Sequence, residues 1–135
     1  MFPGTVSVII FALFDGANKI IRDMKTVLIV EDEVIVAKDY QFMLENCGFK
    51  VLGIADNSTE AIAKASLEKP EIILMDINIK GDISGIKTAQ IIYGNYKPTI
   101  VFLTGFDEDV LVFTDINYKY IRKPVQQGNL IKVLN

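Results

Sequence analysis

Glu71 to Asp76, EIILMD, is a run of apolar residues without polar alternation that ends on a single carboxylate. A run this short and this apolar suits a strand covered on both faces, as in a parallel sheet held between layers of helix. Such a strand delivers its last residue to the carboxyl edge of the sheet, where ligands bind in open α/β folds. Asp76 is therefore a candidate ligand or nucleophile, and the rest of the chain can be read relative to it.

Four more runs have the same character. Thr26 to Val30 (TVLIV) breaks into Glu31, Asp32 and Glu33; Lys50 to Ala55 follows a helix, Thr99 to Thr104 (TIVFLT) precedes Gly105, and Tyr118 to Arg122 precedes Lys123 and Pro124. Between them lie helical patterns. Val36, Ala37, Tyr40, Met43, Leu44 and Cys47 share one face of a helix that Gly48 should end. Asn57 with Glu60 three residues on forms a capping box for a second helix, through about Leu67, that buries Ala61, Ile62 and Ala65. Gly81 and Gly85 allow tight turns in a polar loop, and Ile86, Ala89 and Ile92 or Tyr93 mark a third helix ending near Gly94. A short amphipathic piece spans Asp107 to Phe113, and Asn129 to Asn135 supplies a last helix of about two turns. Five strands alternating with helices predict a doubly wound parallel sheet with helices on both faces, because each parallel pair needs a crossover.

The chain of 135 residues suffices for one domain with a real core. Half of it is apolar and 23% is charged, which excludes a disordered chain, and a net charge of -3 gives no electrostatic reason to hold nucleic acid or an anionic membrane. The absence of histidine removes His-based triads and the common zinc sites. The lone Cys47, expected as a small buried hydrophobe, leaves no internal disulfide and fits a reducing, cytoplasmic setting. Val6 to Phe14 is too short to span a bilayer and has no preceding positive charge as a signal peptide would. Met24 opens a fresh domain start, so residues 1–23 are expected to be an upstream extension of unknown role, an added strand or a docking tail, and residues 24–135 the domain proper.

Strand ends in a parallel sheet are neighbours. Glu31 and Asp32, Asp76, Thr104 and Lys123 should therefore share one rim. Three crowded carboxylates repel unless protonated or neutralised, and a hard divalent cation with oxygen ligands, magnesium best, is the ordinary remedy. Lys123 adds a fixed positive charge, Thr104 a hydroxyl, and Gly105 leaves room beside it. A carboxylate between two cationic centres suits attack on a phosphoryl group, with the charge on its equatorial oxygens neutralised.

On VEDE (Val30 to Glu33), LMDI (Leu74 to Ile77), FLTG (Phe102 to Gly105) and YIRKP (Tyr120 to Pro124), the chain resembles the receiver domain of two-component response regulators from Met24 to about Leu134. The resemblance implies a flavodoxin-like sheet of strand order 2-1-3-4-5, the order for which the chemotaxis regulator of this family is a worked example. It implies Asp76 as the phosphoacceptor for a sensor histidine kinase or phosphotransfer protein. Magnesium would be held by Glu31, Asp32, Asp76 and the backbone carbonyl of Asn78. It implies Lys123 as the lysine that pairs with the phosphoryl group, a cis bond to Pro124, and Thr104 with Tyr120 as the switch pair. The family's usual output surface is the face of fourth helix, fifth strand and fifth helix, and the kinase is expected around Val34 to Lys38 and near Pro124 and Val125.

Lys123 follows Thr104 by nineteen residues, fewer than is usual in the family, so the fourth helix is expected to be short, and the last helix ends early. The expected function is a single-domain phosphoacceptor receiver, not an enzyme beyond its own phosphorylation and dephosphorylation. It would act on an unknown downstream protein as a monomer or phosphorylation-dependent dimer. One alternative is a receiver cut from a longer regulator or hybrid kinase. A haloacid-dehalogenase-type phosphatase would need a second acid where Asn78 stands, and a flavodoxin-like cofactor site would need a glycine loop where the acids lie.

Overall fold

The computed structural model describes residues 24–105 and 115–135. Residues 1–23 and the piece expected over Asp107 to Phe113 lie outside them. The described elements are β1 (Thr26–Val30), α1 (Val34–Asn46), β2 (Lys50–Ala55), α2 (Ser58–Glu68), β3 (Ile72–Asp76), α3 (Gly85–Tyr96), β4 (Thr99–Thr104), β5 (Tyr118–Arg122) and α4 (Gln127–Leu134). The five strands form one sheet in the order β2-β1-β3-β4-β5, and every pairing is parallel. The expected architecture and strand order are both present.

Strand alternation explains why the central strands are apolar throughout. Val27, Ile29, Ile72, Leu74, Val101 and Leu103 pack with Tyr40 and Leu44 of α1 and Leu130 and Leu134 of α4. Their neighbours Leu28, Val30, Ile73, Met75, Ile100 and Phe102 pack with Ala61 and Ala65 of α2 and Ala89 and Ile92 of α3. Each face is a core, so a polar residue at either parity would be buried. β5 differs: only Ile121 is buried in it.

The helix ends depart from the sequence reading in instructive places. α3 does not stop near Gly94; it runs to Tyr96, and Lys97 closes it in the left-handed conformation (φ 56°). Two contacts carry the extra turn: Tyr93 and Tyr96 pack against the core, and the Tyr96 hydroxyl donates to the Pro70 carbonyl (2.8 Å). Burial pushes that hydroxyl's pKa up to about 12. α4 begins two residues earlier than Asn129, at Gln127. Cys47 is half-buried where α1 ends, against the core edge, so it is less enclosed than expected. The capping box at Asn57 is present with one shift: Asn57 Oδ1 accepts from the Glu60 N–H (2.9 Å), while Glu60 reaches back to the N–H of Asp56 (3.3 Å).

Candidate functional site

Alternation carries on past the strand ends. It puts Glu31, Asp76 and Lys123 on the α1 side of the sheet, continuing the rows of Val27 and Ile29, Ile72 and Leu74, and Ile121. Glu31 and Asp76 are as buried as the core beneath them, at 2% and 3% exposure, while Asp32 is half-buried. One carboxylate oxygen from each of Glu31, Asp32 and Asp76 lies within 4.8 Å of the others.

Two donors orient Asp76. The Lys123 ammonium lies 3.1 Å from Oδ1, and the Asn78 backbone N–H donates to the same oxygen at 3.0 Å. Lys123 is itself anchored through its backbone N–H, which donates to the Thr104 carbonyl (2.7 Å), and the bond to Pro124 is cis. Thr104 is buried at the end of β4, on the face opposite Asp76 in the alternation, and among the described residues a β-carbon at Gly105 would meet nothing within 4 Å. Tyr120 pairs with Phe102, sharing the Thr104 face one step toward the amino edge, and is 36% exposed. The rim thus joins the three acids, the Asn78 backbone and Lys123, while Thr104 and Tyr120 flank it.

The acid side of the rim is electrostatically incomplete. Glu31 Oε1 accepts from the Glu33 N–H (3.1 Å), but Oε2 is buried without a hydrogen-bond partner among the described residues. Burial first, and then the facing Asp76 carboxylate, push the Glu31 pKa up to about 8 against the pull of the Glu33 N–H and Lys123. The same burial, with Glu31 next, raises the Tyr40 hydroxyl on α1 below the cluster. An orphaned carboxylate oxygen among three acids is the donor chemistry that a hard cation satisfies, so these residues fit a magnesium ion.

The chain holds Gly85 for a reason the sequence reading missed. It does not form a tight turn with a positive φ, as Gly81 does at +128°; it begins α3 directly against the end of β3. Its N–H donates to the Ile77 carbonyl (3.0 Å), and a β-carbon there would overlap the Asp76 carbonyl and lie 2.8 Å from Ile77 Cα. The sequence signal was present, a glycine at a helix start shortly after the strand-end acid.

Known proteins share this fold. The sequence model of the response regulator receiver domain matches residues 27–135. The phyllosphere-induced regulator PhyR of Methylorubrum extorquens is 31% identical over 124 residues, covering 90% of this chain and 46% of that protein. The transcriptional regulatory protein BtsR of Escherichia coli is 31% identical over 113 residues, covering 82% of this chain and 47% of that protein. The chain therefore spans about half the length of these curated relatives. The signal receiver domain of a modulated diguanylate cyclase from Desulfovibrio desulfuricans superposes with a TM-score of 0.72 at 32% identity, covering 82% of this chain and 90% of that one. With the parallel 2-1-3-4-5 sheet and its acidic rim, this match establishes the chain as a member of the response regulator receiver domain family.

Proposed function

We propose that residues 24–135 are a phosphoacceptor receiver that takes a phosphoryl group on Asp76 from the phosphohistidine of a sensor kinase or phosphotransfer protein. The observation that carries this reading is the Lys123 ammonium 3.1 Å from Asp76 Oδ1, delivered by β5, which lies on the other side of β3 from the β1 that carries Glu31 and Asp32. An Asp76 oxygen attacks phosphorus, an O–P bond forms, and the P–N bond breaks with its electron pair passing to the imidazole nitrogen. The Asn78 N–H and Lys123 hold Oδ1 and so fix the plane of the attacking carboxylate before the donor arrives. Lys123 then neutralises charge on the equatorial oxygens. Glu31, Asp32, Asp76 and the Asn78 carbonyl would hold magnesium, which supplies further charge neutralisation to those oxygens when bound.

The output follows from added charge. An aspartyl phosphate gives the Thr104 hydroxyl a strong acceptor, and its movement opens volume for Tyr120, which stands at the surface in this structure. The sensor or phosphotransfer protein docks on the start of α1, where Val34 and Ile35 are 65% and 85% exposed above the rim, and beside Pro124 and Val125. Among the described residues no helix is long and apolar enough to cross a membrane. We place the protein in the cytoplasm, and residues 1–23 are an extension outside the receiver.

Acetyl phosphate with magnesium tests the assignment. The wild-type chain takes up one phosphoryl group and turns over slowly, and Asp76→Asn takes up none. Labelling that persists in Asp76→Asn, or rapid multiple turnover, contradicts it.

A further inference from the structure

β1 lies between β2 and β3, and its last paired residue, Val30, aligns with Ala55 on one side and Met75 on the other. Glu31 still donates its N–H to the Ala55 carbonyl (3.0 Å) before the chain turns away into α1. Two strands on either side of a third stand about 9.5 Å apart, twice the usual spacing. Beyond Glu31 that gap closes. Asn57 and Lys80 form a parallel bridge, and the Ser58 N–H donates to the Lys80 carbonyl (3.3 Å). The segments following β2 and β3 therefore meet directly where β1 has left the sheet, beside the acids that β1 delivers.

The joint is packed. Ser58 is 3% exposed and faces Gly81, whose φ of +128° is a conformation that residues with a β-carbon rarely adopt. A β-carbon at Gly81 would overlap Ser58 Oγ and lie 3.3 Å from Ser58 Cβ and backbone N. On the other side of the bridge, two residues before Lys80, stands Asn78, whose N–H holds Asp76 Oδ1. The short path from Gly81 through Lys80 to Asn78 leaves little slack between the joint and the phosphoacceptor.

We propose that the Asn57–Lys80 bridge, closed by Ser58 against Gly81, is a clasp that positions the Asn78 main chain at the rim. Ser58 and Gly81 are thus positioning residues for the metal and phosphoryl site. The inference rests on the phosphoacceptor reading only in so far as the Asn78 carbonyl is a metal ligand; the placing of the Asn78 N–H stands apart from it.

Two variants open the clasp by different means. Ser58→Pro removes the donor to Lys80 at the first position of α2, where proline is well tolerated, and the extended Asn57 (φ -152°, ψ 168°) suits a following proline. Gly81→Ala introduces the overlapping β-carbon. Gly94→Ala, in α3, where an added β-carbon meets nothing within 4 Å among the described residues, is the control. In the full chain, magnesium affinity is measured by calorimetry, the Asn78 amide exchange rate by metal-free NMR, and the metal-free Tm by thermal scanning. Both clasp variants should bind magnesium about tenfold more weakly, the scale of effects on supporting residues of metal sites. Asn78 exchange should quicken severalfold, and Gly94→Ala should change neither. If Gly81→Ala does not fold, Ser58→Pro decides alone. A folded Ser58→Pro with wild-type exchange at Asn78 and wild-type magnesium affinity overturns the clasp, as does a lowered Tm with neither quantity changed. If the wild type binds no magnesium, the metal reading fails, and Asn78 exchange alone then decides for or against the clasp.

Discussion

The two ends of β3 are equally buried, Ile72 and Asp76 at 3% exposure each, yet they contribute in opposite ways. Around Ile72 to Met75 the side chains join apolar clusters on both faces of the sheet, so burial stabilises. Around Asp76 the same enclosure holds two buried carboxylates, a half-buried third and one unpartnered oxygen, so burial costs. The sheet interior thus sustains a rim that would not persist by itself. A cluster of carboxylates can be held together when the strands presenting it are fixed by packing below.

The contrast can be broken from the core side with the largest effect. Phe102 is fully buried and rests against Tyr118, with ring centroids 5.7 Å apart. Phe102→Ala should cost about 3–5 kcal/mol of stability in urea titration, while the fraction still folded keeps magnesium affinity within about twofold. A comparable loss of affinity in the folded fraction would show that core and rim are not separable.

Glu31→Gln sharpens the contrast from the rim. A carboxyl whose folded pKa stands near 8, above its ordinary 4.5, favours the folded state at low pH, and that advantage is lost as pH rises from about 4.5 through 8. The glutamine variant has no such loss. Without metal it should gain about 1–2 kcal/mol on wild type at pH 8, and less at pH 5, while binding magnesium more weakly. Equal differences at both pH values would mean that Glu31 carries no burial penalty.

Lys123→Ala should have the smallest effect on stability, about 1 kcal/mol or less, because its side chain is 32% exposed and partly screened. Its effect on signalling should be far larger. Phosphorylation, if it proceeds, should leave the tyrosine NMR signal of Tyr120 where it was, and a wild-type response at Tyr120 would remove Lys123 from the switch.

The strands were legible because apolar runs such as TVLIV and EIILMD have one stable placement, between two helix layers. The rim was legible because polar residues interrupt those runs at the same end of successive strands. The end of α3 was not, because its last turn depends on Tyr96 reaching Pro70, twenty-six residues away. Nor was the clasp, since Asn57 and Lys80 meet only after β1 has left the space between them. The raised pKa of Glu31 was hidden for a related reason: the crowding of acids was foreseeable, but the degree of burial at 31 compared with 32 belongs to the packed structure.

The most direct measurement locates the phosphoryl group itself. Borohydride reduces an aspartyl phosphate to homoserine, which peptide mass spectrometry assigns to a position. After acetyl phosphate and magnesium, the reduced residue should be found at position 76 alone. Reduction at Asp32, or no reduced residue in a chain that has taken up phosphate, would contradict the convergence of Lys123 and the acidic rim on Asp76.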